Sequence, residues 1–543
     1  MGDPVPELVY LTLTEATHPI RNTWTQLHTE QLRELGFQID FQAASVPDYV
    51  DRGFNTRSCD IYPLRYLDGF DPNRTLHDAL HSEAAVEGGG NINGYQNPEY
   101  DEMFQEMTTT IDRQERQQLV YDMHEFICDR QLITPVLVQN RQMPYDTQNV
   151  TNPTSMPEFG LGSIYNFLSM EPAQGNNSDQ LVWSQPEDLT TLNPLNPERG
   201  RVERTINRIV YDRVLRADTN AQPQPWMAES YEVVDDTTRE VTLRDGLTWH
   251  DGEPVTTEDV VFTFEFGAEH SVGVESVYNQ IESFDVQDER NMTINLAGNF
   301  PAFEINGLAG RDGNIIPQHI WQDVPDQIDG PVNQWTNPEP VGSGPFQVES
   351  FTVGEETVMS RHDAYGDAGF DTPNFAESVR IQAPDLRTTV RQLEDGTADF
   401  LPWELQVTDV QRFQQSDRYE MVDSIMTSIH YVTYNMREDR DPGNVLFGPP
   451  QGASSGNDRM VEVGRAVRRA MAYAVPKQQA IQVATGGTAL ELQAPISRAL
   501  EFWYNEDVES FNLDLEAARS ELESVGFAWD SDGRIHYPEG YPS

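Results

Sequence analysis

Alternating hydrophobic and polar positions at the start of the chain predict a β-α-β unit. Residues 8–14 alternate and are rich in residue types favoured in strands. Residues 22–36 follow a helical pattern, and residues 37–43 form a second alternating run. After a weakly amphipathic helical stretch over residues 46–58, another strand begins at Cys59. This succession of strands and helices predicts an α/β fold with a parallel sheet.

The same periodicity predicts longer helices farther along the chain. They cover residues 98–108, 112–130, 461–483 (with a break near Pro476) and 514–525. A short strand is expected at 135–139. Residues 145–178 are instead rich in Pro, Asn, Ser and Gly, and their end, 171–178, is interpreted as a linker. From Leu181 to about residue 435 strand patterns dominate.

The charge of the chain excludes two classes of partner. There are 36 Lys and Arg residues against 89 Asp and Glu residues, a net charge of −53, and Lys477 is the one lysine. Such a chain repels nucleic-acid phosphates and anionic membrane surfaces. The acidic residues are spread along the whole sequence, and at about 1 M salt the Debye length is about 3 Å. We therefore interpret the protein as halophilic and haloarchaeal, the alternative being an ordinary acidic protein.

Cysteines and apolar runs add two expectations. Cys59 and Cys128 allow at most one disulfide, and we expect two free thiols. There is no apolar run of about 18 residues, so no transmembrane helix is predicted. The first residues lack a basic segment followed by an apolar one, so neither a signal peptide nor a lipid anchor is expected in this chain.

The most specific motif lies at residues 227–262, MAESYEVVDDTTREVTLRDGLTWHDGEPVTTEDVVF. Asp235 and Asp236 predict a hairpin turn, while Glu258 and Asp259 suit the first turn of a helix. The stretch resembles the signature region of the family 5 extracellular solute-binding proteins. These are the dipeptide-, oligopeptide- and nickel-type receptors of ABC importers.

Six further blocks resemble segments of that family in the family's own order. They are IIPQHIW (315–321), NPEPVGSGPF (337–346), RQLEDGTADF (391–400), HYVTYNM (430–436), VGRAVRRAMAYAV (463–475) and AARSELESVGF (517–527). One departure follows the fifth block, where the family's Asp-Arg is replaced by Pro476-Lys477.

Other blocks stand in a different order from the family. Segments similar to the family's late strands and final helices occupy residues 8–72, 97–107 and 111–138, whereas a segment similar to its opening appears at 181–194. The chain thus resembles a circular permutant in which 171–178 joins the old termini. The competing explanation is a fusion of two gene fragments. The absence of repeated or missing blocks favours permutation.

The resemblance implies a two-lobed periplasmic-binding-protein-like α/β fold (type II, large cluster C-like) with a hinge and an interlobe cleft. We assign lobe two to residues 1–135 and 433–543, and lobe one to residues 136–432. The implied function is capture of a peptide or similar solute and its delivery to ABC permease subunits. An extracellular, membrane-associated location, a monomeric state, no enzymatic activity and no cofactor are also implied.

A ligand loop is expected where the strand from Cys59 ends. It reads Arg65-Tyr66-Leu67-Asp68-Gly69-Phe70-Asp71-Pro72, and open α/β sheets bind ligands at the carboxyl ends of their strands. In peptide-binding relatives the corresponding loop carries an aspartate that pairs with the ligand's α-ammonium group. Asp68 matches best and Asp71 is the alternative, with Tyr66 suited to a cation–π contact. A solvated turn is the other interpretation of this aspartate.

Three further residues are candidates for ligand contact. Glu198 follows Thr-Leu-Asn-Pro at the spacing of a ligand-facing acid in oligopeptide receptors. Arg52 and Arg65 are suited to a ligand carboxylate.

Two motifs suggest other chemistry. Residues 452–456, Gly-Ala-Ser-Ser-Gly, match the G-x-S-x-G pattern of hydrolases, but their flanks predict a polar loop rather than a strand and a helix. His77 and His81 stand four residues apart, yet no third ligand has the spacing of a metal site, so a structural or surface role is expected. A hydrolase using Ser454 or the pair Asp68 and Asp71, and a rearranged gene product that does not fold, are the alternative hypotheses.

Overall fold

A computed structural model of the protein describes residues 1–66, 69–196, 200–273, 275–310 and 313–541, with only the backbone at Tyr66, Glu275 and Ser276. The chain divides into two compact units. The first comprises Met1–Asn140 and Ile425–Ser543, and the second comprises Arg141–Ser424. The boundaries predicted from the sequence lie at 135/136 and 432/433. The mixed α/β class predicted from the sequence is confirmed.

Strands and helices are interspersed along the whole chain. The strands are β1 (Leu8–Leu13), β2 (Ile39–Ala44), β3 (Ile61–Tyr66), β4 (Ile133–Asp146), β5 (Val150–Thr151), β6 (Glu171–Pro172), β7 (Gln180–Gln185), β8 (Leu215–Ala217), β9 (Pro223–Pro225), β10 (Ala228–Val233), β11 (Thr238–Leu243), β12 (Ile281–Val286), β13 (Asn291–Leu296), β14 (Phe346–Phe351), β15 (Glu356–Arg361), β16 (Glu377–Gln382), β17 (Tyr419–Tyr434), β18 (Leu490–Glu491), β19 (Ala528–Trp529) and β20 (Ile535–His536). The helices are α1 (Pro19–Glu34), α2 (Val46–Val50), α3 (Asn73–Leu80), α4 (Pro98–Thr109), α5 (Arg113–Arg130), α6 (Ile164–Ser169), α7 (Arg201–Val210), α8 (Thr257–Glu269), α9 (Glu275–Tyr278), α10 (Gln318–Trp321), α11 (Val324–Gln327), α12 (Leu386–Glu394), α13 (Val407–Gln414), α14 (Gly443–Phe447), α15 (Asp458–Tyr473), α16 (Lys477–Thr485) and α17 (Leu515–Ser524).

A mixed six-stranded sheet, in the order β18-β4-β17-β3-β1-β2, forms the core of the first unit. β1 runs parallel to β2 and to β3, while β17 is antiparallel to β3 and β18 is antiparallel to β4. Leu8, Tyr10 and Leu11 of β1 are fully buried, as expected for a central strand covered on both faces. The sheet therefore combines strands from the beginning and from the last part of the chain.

Two four-stranded sheets form the larger part of the second unit, beside the short pairs β5-β6 and β8-β9. One is an antiparallel sheet in the order β10-β11-β13-β12, and the other has the order β14-β15-β16-β7, in which β7 is parallel to β16. Trp183 of β7 packs in an aromatic cluster with Phe167 and Phe400, at ring-centroid distances of 5.7 and 6.4 Å. These buried rings hold the second sheet against the neighbouring helix.

The predicted short strand at 135–139 is longer than expected, and its predicted position is wrong. The assignment of residues 136–432 to lobe one places it with β7, but Val138 pairs with Leu490 in the sheet of the first unit. The physical reason is the length of β4, which runs on past the boundary at Asn140. Its far end reaches the second unit, where Tyr145 forms a bridge with Phe400.

The two ends of the described chain lie together in the first unit. Gly2 N–H donates to the carbonyl of Tyr537 at 2.9 Å, and Val5 N–H donates to that of Ile535 at 3.0 Å. Ile535 belongs to the hairpin formed by β19 and β20. The last described segment thus runs directly beside the residues that lead into β1.

Cys59 and Cys128 are free and buried, which confirms two free thiols, and burial raises the pKa of each to about 12. Among the described residues, no helix combines the length and apolar character needed to cross a bilayer.

Candidate functional site

The carboxyl ends of β1 and β3 lie side by side in the sheet of the first unit. Both strands run parallel and are paired through Tyr10 and Ile61, so the segments that follow them emerge at one edge, where open α/β sheets bind ligands. His18 caps the amino end of α1, just after β1, and Arg65 lies at the end of β3. His430 of β17 is paired with Arg65 in the sheet register.

Arg65 and His430 are held by side chains on neighbouring segments. Arg65 donates from Nε to the hydroxyl of Ser428 at 3.0 Å. The indole N–H of Trp24 donates to Nδ1 of His430 at 3.3 Å. The rings of His18 and His430 meet edge to face with their centroids 5.3 Å apart. Three separate segments of the chain therefore converge on this edge.

Arg21 brings a buried positive charge to the same edge. It is 6% exposed, and its Nη1 donates to the hydroxyl of Tyr49 at 2.9 Å while the guanidinium lies 5.3 Å from the centre of that ring. Its Nε is buried and has no hydrogen-bond partner among the residues that the structure describes. Within the described part of the chain, no carboxylate forms an ion pair with Arg21.

The two histidines of this edge carry no positive charge near pH 7. Burial lowers the pKa of His18 to about 3, with Arg21 and Arg65 adding to the effect. Burial and the same arginines hold the pKa of His430 well below its usual range. Both rings are therefore neutral near pH 7. We call His18, Arg21, Arg65 and His430 the basic edge, and its two guanidinium groups suit a carboxylate.

Asp71 has a different environment from the one the sequence suggested. Its carboxylate is 3% exposed and forms a two-pronged ion pair with Arg116, at 2.8 Å to Nη1 and 3.0 Å to Nη2. One oxygen also accepts from the backbone N–H of Asn73 at 2.9 Å, at the start of α3. This carboxylate is already paired within the protein.

Arg52 lies in a π-helical turn, Asp51–Asn55, that follows α2. Its Nε donates to the hydroxyl of Ser58 at 3.3 Å, and Nη1 lies 3.8 Å from the carboxylate of Asp48. Of the other predicted residues, Tyr66 ends β3 and only its backbone is described, while Asp68 and Glu198 lie outside the described residues. Their roles stay predictions.

The Gly-Ala-Ser-Ser-Gly segment does not form a nucleophile elbow. It forms a short 3-10 turn, Gly452–Ser455, that follows α14 rather than a strand, and Ser454 is exposed. The expectation of a polar loop is confirmed.

A cluster of possible metal ligands lies elsewhere in the first unit. His77, His81 and Glu83 bring donor atoms within 4.8 Å of one another. The sequence pattern does not predict Glu83 as a ligand, because this residue stands beyond the end of α3, in a turn whose direction the helical spacing does not reveal.

Arg21, His18 and His430 of the basic edge are not among the residues predicted from the sequence. The sequence does hold a signal for His18 and Arg21, because both residues closely follow the alternating apolar run at 8–14. His430 carried no such signal, because its place beside Arg65 depends on the pairing of β17 with β3.

The model of the family described as "Bacterial extracellular solute-binding proteins, family 5 Middle" matches residues 222–541.

Individual proteins match over shorter stretches. The chain is 24% identical over 241 residues to the oligopeptide-binding protein AppA of Bacillus subtilis, covering 43% of this chain and 42% of that protein. It is 29% identical over 238 residues to a probable peptide ABC transporter periplasmic-binding protein, y4tO, of Sinorhizobium fredii, covering 41% and 43%. The chain thus spans less than half the length of these curated relatives.

Solved structures are also similar. A periplasmic oligopeptide-binding protein of an ABC transporter from Thermotoga maritima has a TM-score of 0.48 and 24% identity, covering 67% of this chain and 68% of the other. AppA in complex with a nonapeptide has a TM-score of 0.44 and 20% identity, covering 66% of each chain.

Proposed function

Because this chain belongs to the bacterial extracellular solute-binding proteins of family 5, whose model matches residues 222–541, we propose that it is the solute-binding component of an ABC importer. It acts outside the cell, as a monomer, and delivers its solute to a membrane permease. The solute is a peptide or a similar small molecule. The names of the relatives AppA and y4tO, an oligopeptide-binding protein and a peptide transporter component, support this choice.

The observation that carries the proposal is the basic edge. Arg21 and Arg65 bring two guanidinium groups to the carboxyl ends of β1 and β3, and the histidines beside them are neutral. In a protein of net charge −53, a buried arginine without an ion pair among the described residues is a specific feature. We assign this edge to a carboxylate of the solute, with Arg52 as a further predicted contact.

The loop at residues 65–72 is proposed to bind the α-ammonium group of a peptide. Asp71 is paired with Arg116, so we assign this role to Asp68, with Tyr66 two positions before it in the sequence. Glu198 is retained as a predicted ligand-facing acid.

Copurified solute identifies the ligand class. The protein is purified from concentrated salt and released small molecules are identified by mass spectrometry. Titration calorimetry then compares a peptide that has a free carboxylate with the same peptide amidated at its carboxyl end. We expect wild type to prefer the free carboxylate and Arg21→Met to lose that preference, each lost charged contact costing about 1.5–3 kcal/mol.

Matched variants keep this test specific. Arg412 is an exposed arginine paired with Asp409, and Arg412→Gln should bind like wild type. Asp68→Asn should weaken binding of peptides with a free ammonium group without changing the melting temperature. Equal affinity of wild type for the free and amidated peptides would exclude the carboxylate assignment.

We also propose that the chain is a circular permutant of the family. Two observations support this. The family match covers residues 222–541, yet strands from residues 8–66 share one sheet with β17 and β18. The segment around Ile535 also runs beside Val5.

A further inference from the structure

His77, His81 and Glu83 form a side-chain cluster that the solute-binding proposal does not use. Their donor atoms all lie within 4.8 Å of one another. The two imidazole rings are stacked, with centroids 4.9 Å apart and an angle of 20° between their planes. Two imidazoles and a carboxylate are a donor set suited to zinc and to neighbouring divalent transition metals.

The local backbone explains how the three residues meet. His77 lies in the last turn of α3 and His81 is its carboxyl-terminal cap, so the rings share one face. At His81 the backbone becomes extended, and a 3-10 turn, Ser82–Ala85, begins immediately. This turn brings Glu83 back toward the rings. The cluster therefore depends on the sharp end of α3 rather than on helical spacing alone.

Neighbouring groups hold both rings in defined orientations. The ring of Phe104 on α4 lies 5.5 Å from that of His77 and 4.9 Å from that of His81. Nδ1 of His77 lies 3.0 Å from a carboxylate oxygen of Asp78, and Nε2 of His81 lies 3.7 Å from one of Asp101. Carboxylates behind metal-binding histidines fix ring orientation and raise ligand basicity.

These partners determine which nitrogen of each ring is free to bind a cation. A carboxylate only accepts hydrogen bonds, so the proton of His77 lies on Nδ1, facing Asp78, and Nε2 has the lone pair. In His81, Nδ1 accepts a long hydrogen bond of 3.3 Å from the backbone N–H of Glu83. Its proton therefore lies on Nε2, toward Asp101. The lone pair on Nδ1 accepts only that long hydrogen bond.

We propose that His77, His81 and Glu83 bind one divalent transition metal ion of the zinc class. Ligand atoms around tetrahedral zinc stand roughly 3.3–3.5 Å apart, so small side-chain rotations close the cluster from its present spacing. The ion replaces the long hydrogen bond to His81, and water completes the coordination. His81 is 12% and His77 35% exposed in their side chains, which leaves the ion a path from solvent.

The proposal is independent of the solute. It concerns residues of α3 and the following turn, and it holds whether or not the protein carries peptides. The main alternative explanation for zinc binding is unspecific attraction of cations to the many carboxylates of a chain with net charge −53. Molar KCl screens such long-range attraction but not direct coordination, so the test is carried out in molar KCl.

Titration calorimetry with zinc chloride on the full chain, at neutral pH in molar KCl, tests the site. We expect one zinc ion per chain, and affinity reduced roughly tenfold or more in His77→Gln and Glu83→Gln. His319→Gln is the matched control, since His319 is also exposed and lies 2.8 Å from a carboxylate, that of Asp251. Its zinc affinity should equal that of wild type.

Thermal melting with and without metal distinguishes loss of the metal site from failure of a variant to fold. Glu83 is exposed, so Glu83→Gln should melt like wild type without metal and lose only the zinc-induced rise in melting temperature. Cobalt(II) should give the intense visible bands of a tetrahedral site in wild type and not in the double variant His77→Gln/Glu83→Gln. Absence of saturable zinc binding in wild type, or equal zinc affinity of wild type and the double variant, would overturn the proposal.

Discussion

Asp71 and Arg116 form a buried, two-pronged ion pair that ties the segment after β3 to α5, with contacts of 2.8 and 3.0 Å. Both side chains are almost fully buried. Arg116 also donates to the side-chain oxygen of Asn73 at 2.6 Å, and its guanidinium lies 4.8 Å from the ring of Trp503. The start of α3 is thus anchored to a helix and an aromatic ring that come from other parts of the chain.

The first prediction follows from this pair. Removing one partner leaves a buried charge without compensation, which typically costs about 3–5 kcal/mol. Arg116→Gln and Asp71→Asn should each lower the free energy of unfolding by that order, measured by denaturant titration in molar KCl. The exposed pair of Arg412 and Asp409 is the control, and Arg412→Gln should cost about 1 kcal/mol or less. A small loss in Asp71→Asn would mean that the ion pair contributes little.

The second prediction concerns salt. With a net charge of −53, self-repulsion destabilises the folded state in dilute buffer and is screened at high ionic strength. The melting temperature should rise steeply from low salt to molar KCl, as measured by circular dichroism. Sucrose, which also favours compact states but does not screen charge, serves as the control and should raise it far less. A flat response to KCl would contradict the halophilic interpretation.

The third prediction uses the single lysine. Lys477 is 3% exposed and donates to the carbonyl of Leu492 at 2.7 Å, and burial lowers its pKa to about 8. Its pKa in an unfolded chain is about 10.4, so between pH 8 and about 10.4 the unfolded state binds more protons. The folded state therefore gains stability as pH rises through this range, by about 3 kcal/mol from this group.

Lys477→Met removes that contribution and is the reference. Denaturant titrations of both proteins between about pH 7 and 10.5 give the difference in unfolding free energy. The unfolding free energy of wild type should increase with pH relative to that of Lys477→Met. The titration of the tyrosines contributes equally to both proteins and cancels in the difference. A difference independent of pH would show that Lys477 keeps an ordinary pKa.

The fourth prediction concerns the order of the segments. The fragment 1–172 contains β1 to β4 and the fragment 179–543 contains β17 and β18, yet these strands form one sheet. In that sheet β17 lies between β4 and β3, so neither fragment has a complete core. Expressed separately they should be poorly folded, and mixing them in molar KCl should restore a cooperative thermal transition.

The same experiment separates permutation from its alternatives. Independent cooperative melting of fragment 1–172 would contradict the permutation and favour a fusion of two gene fragments. Absence of a cooperative transition in the intact chain would support the rearranged product that does not fold.

The sequence by itself determined the local elements. The alternating runs at 8–14 and 37–43 correspond to Leu8–Leu13 and Ile39–Ala44, and the break near Pro476 separates α15 from α16. Asp112 begins the pattern of residues 112–130, and its side chain caps α5 by accepting from two backbone N–H groups at 2.9 Å. These features follow from residue spacing and side-chain chemistry within a few positions, which a single segment contains completely.

Only the tertiary structure decided which distant residues meet. His430 lies beside Arg65, 365 positions away in sequence, because β17 pairs with β3. Glu83 reaches His77 because α3 ends sharply at His81, and Asp71 is paired with Arg116 rather than exposed in a turn. Periodicity reports which face of a segment is apolar, whereas the partner of a charged side chain is set by sheet order and helix packing. The charge, the family and the elements were therefore readable in the chain, but the basic edge and the histidine–glutamate cluster required the fold.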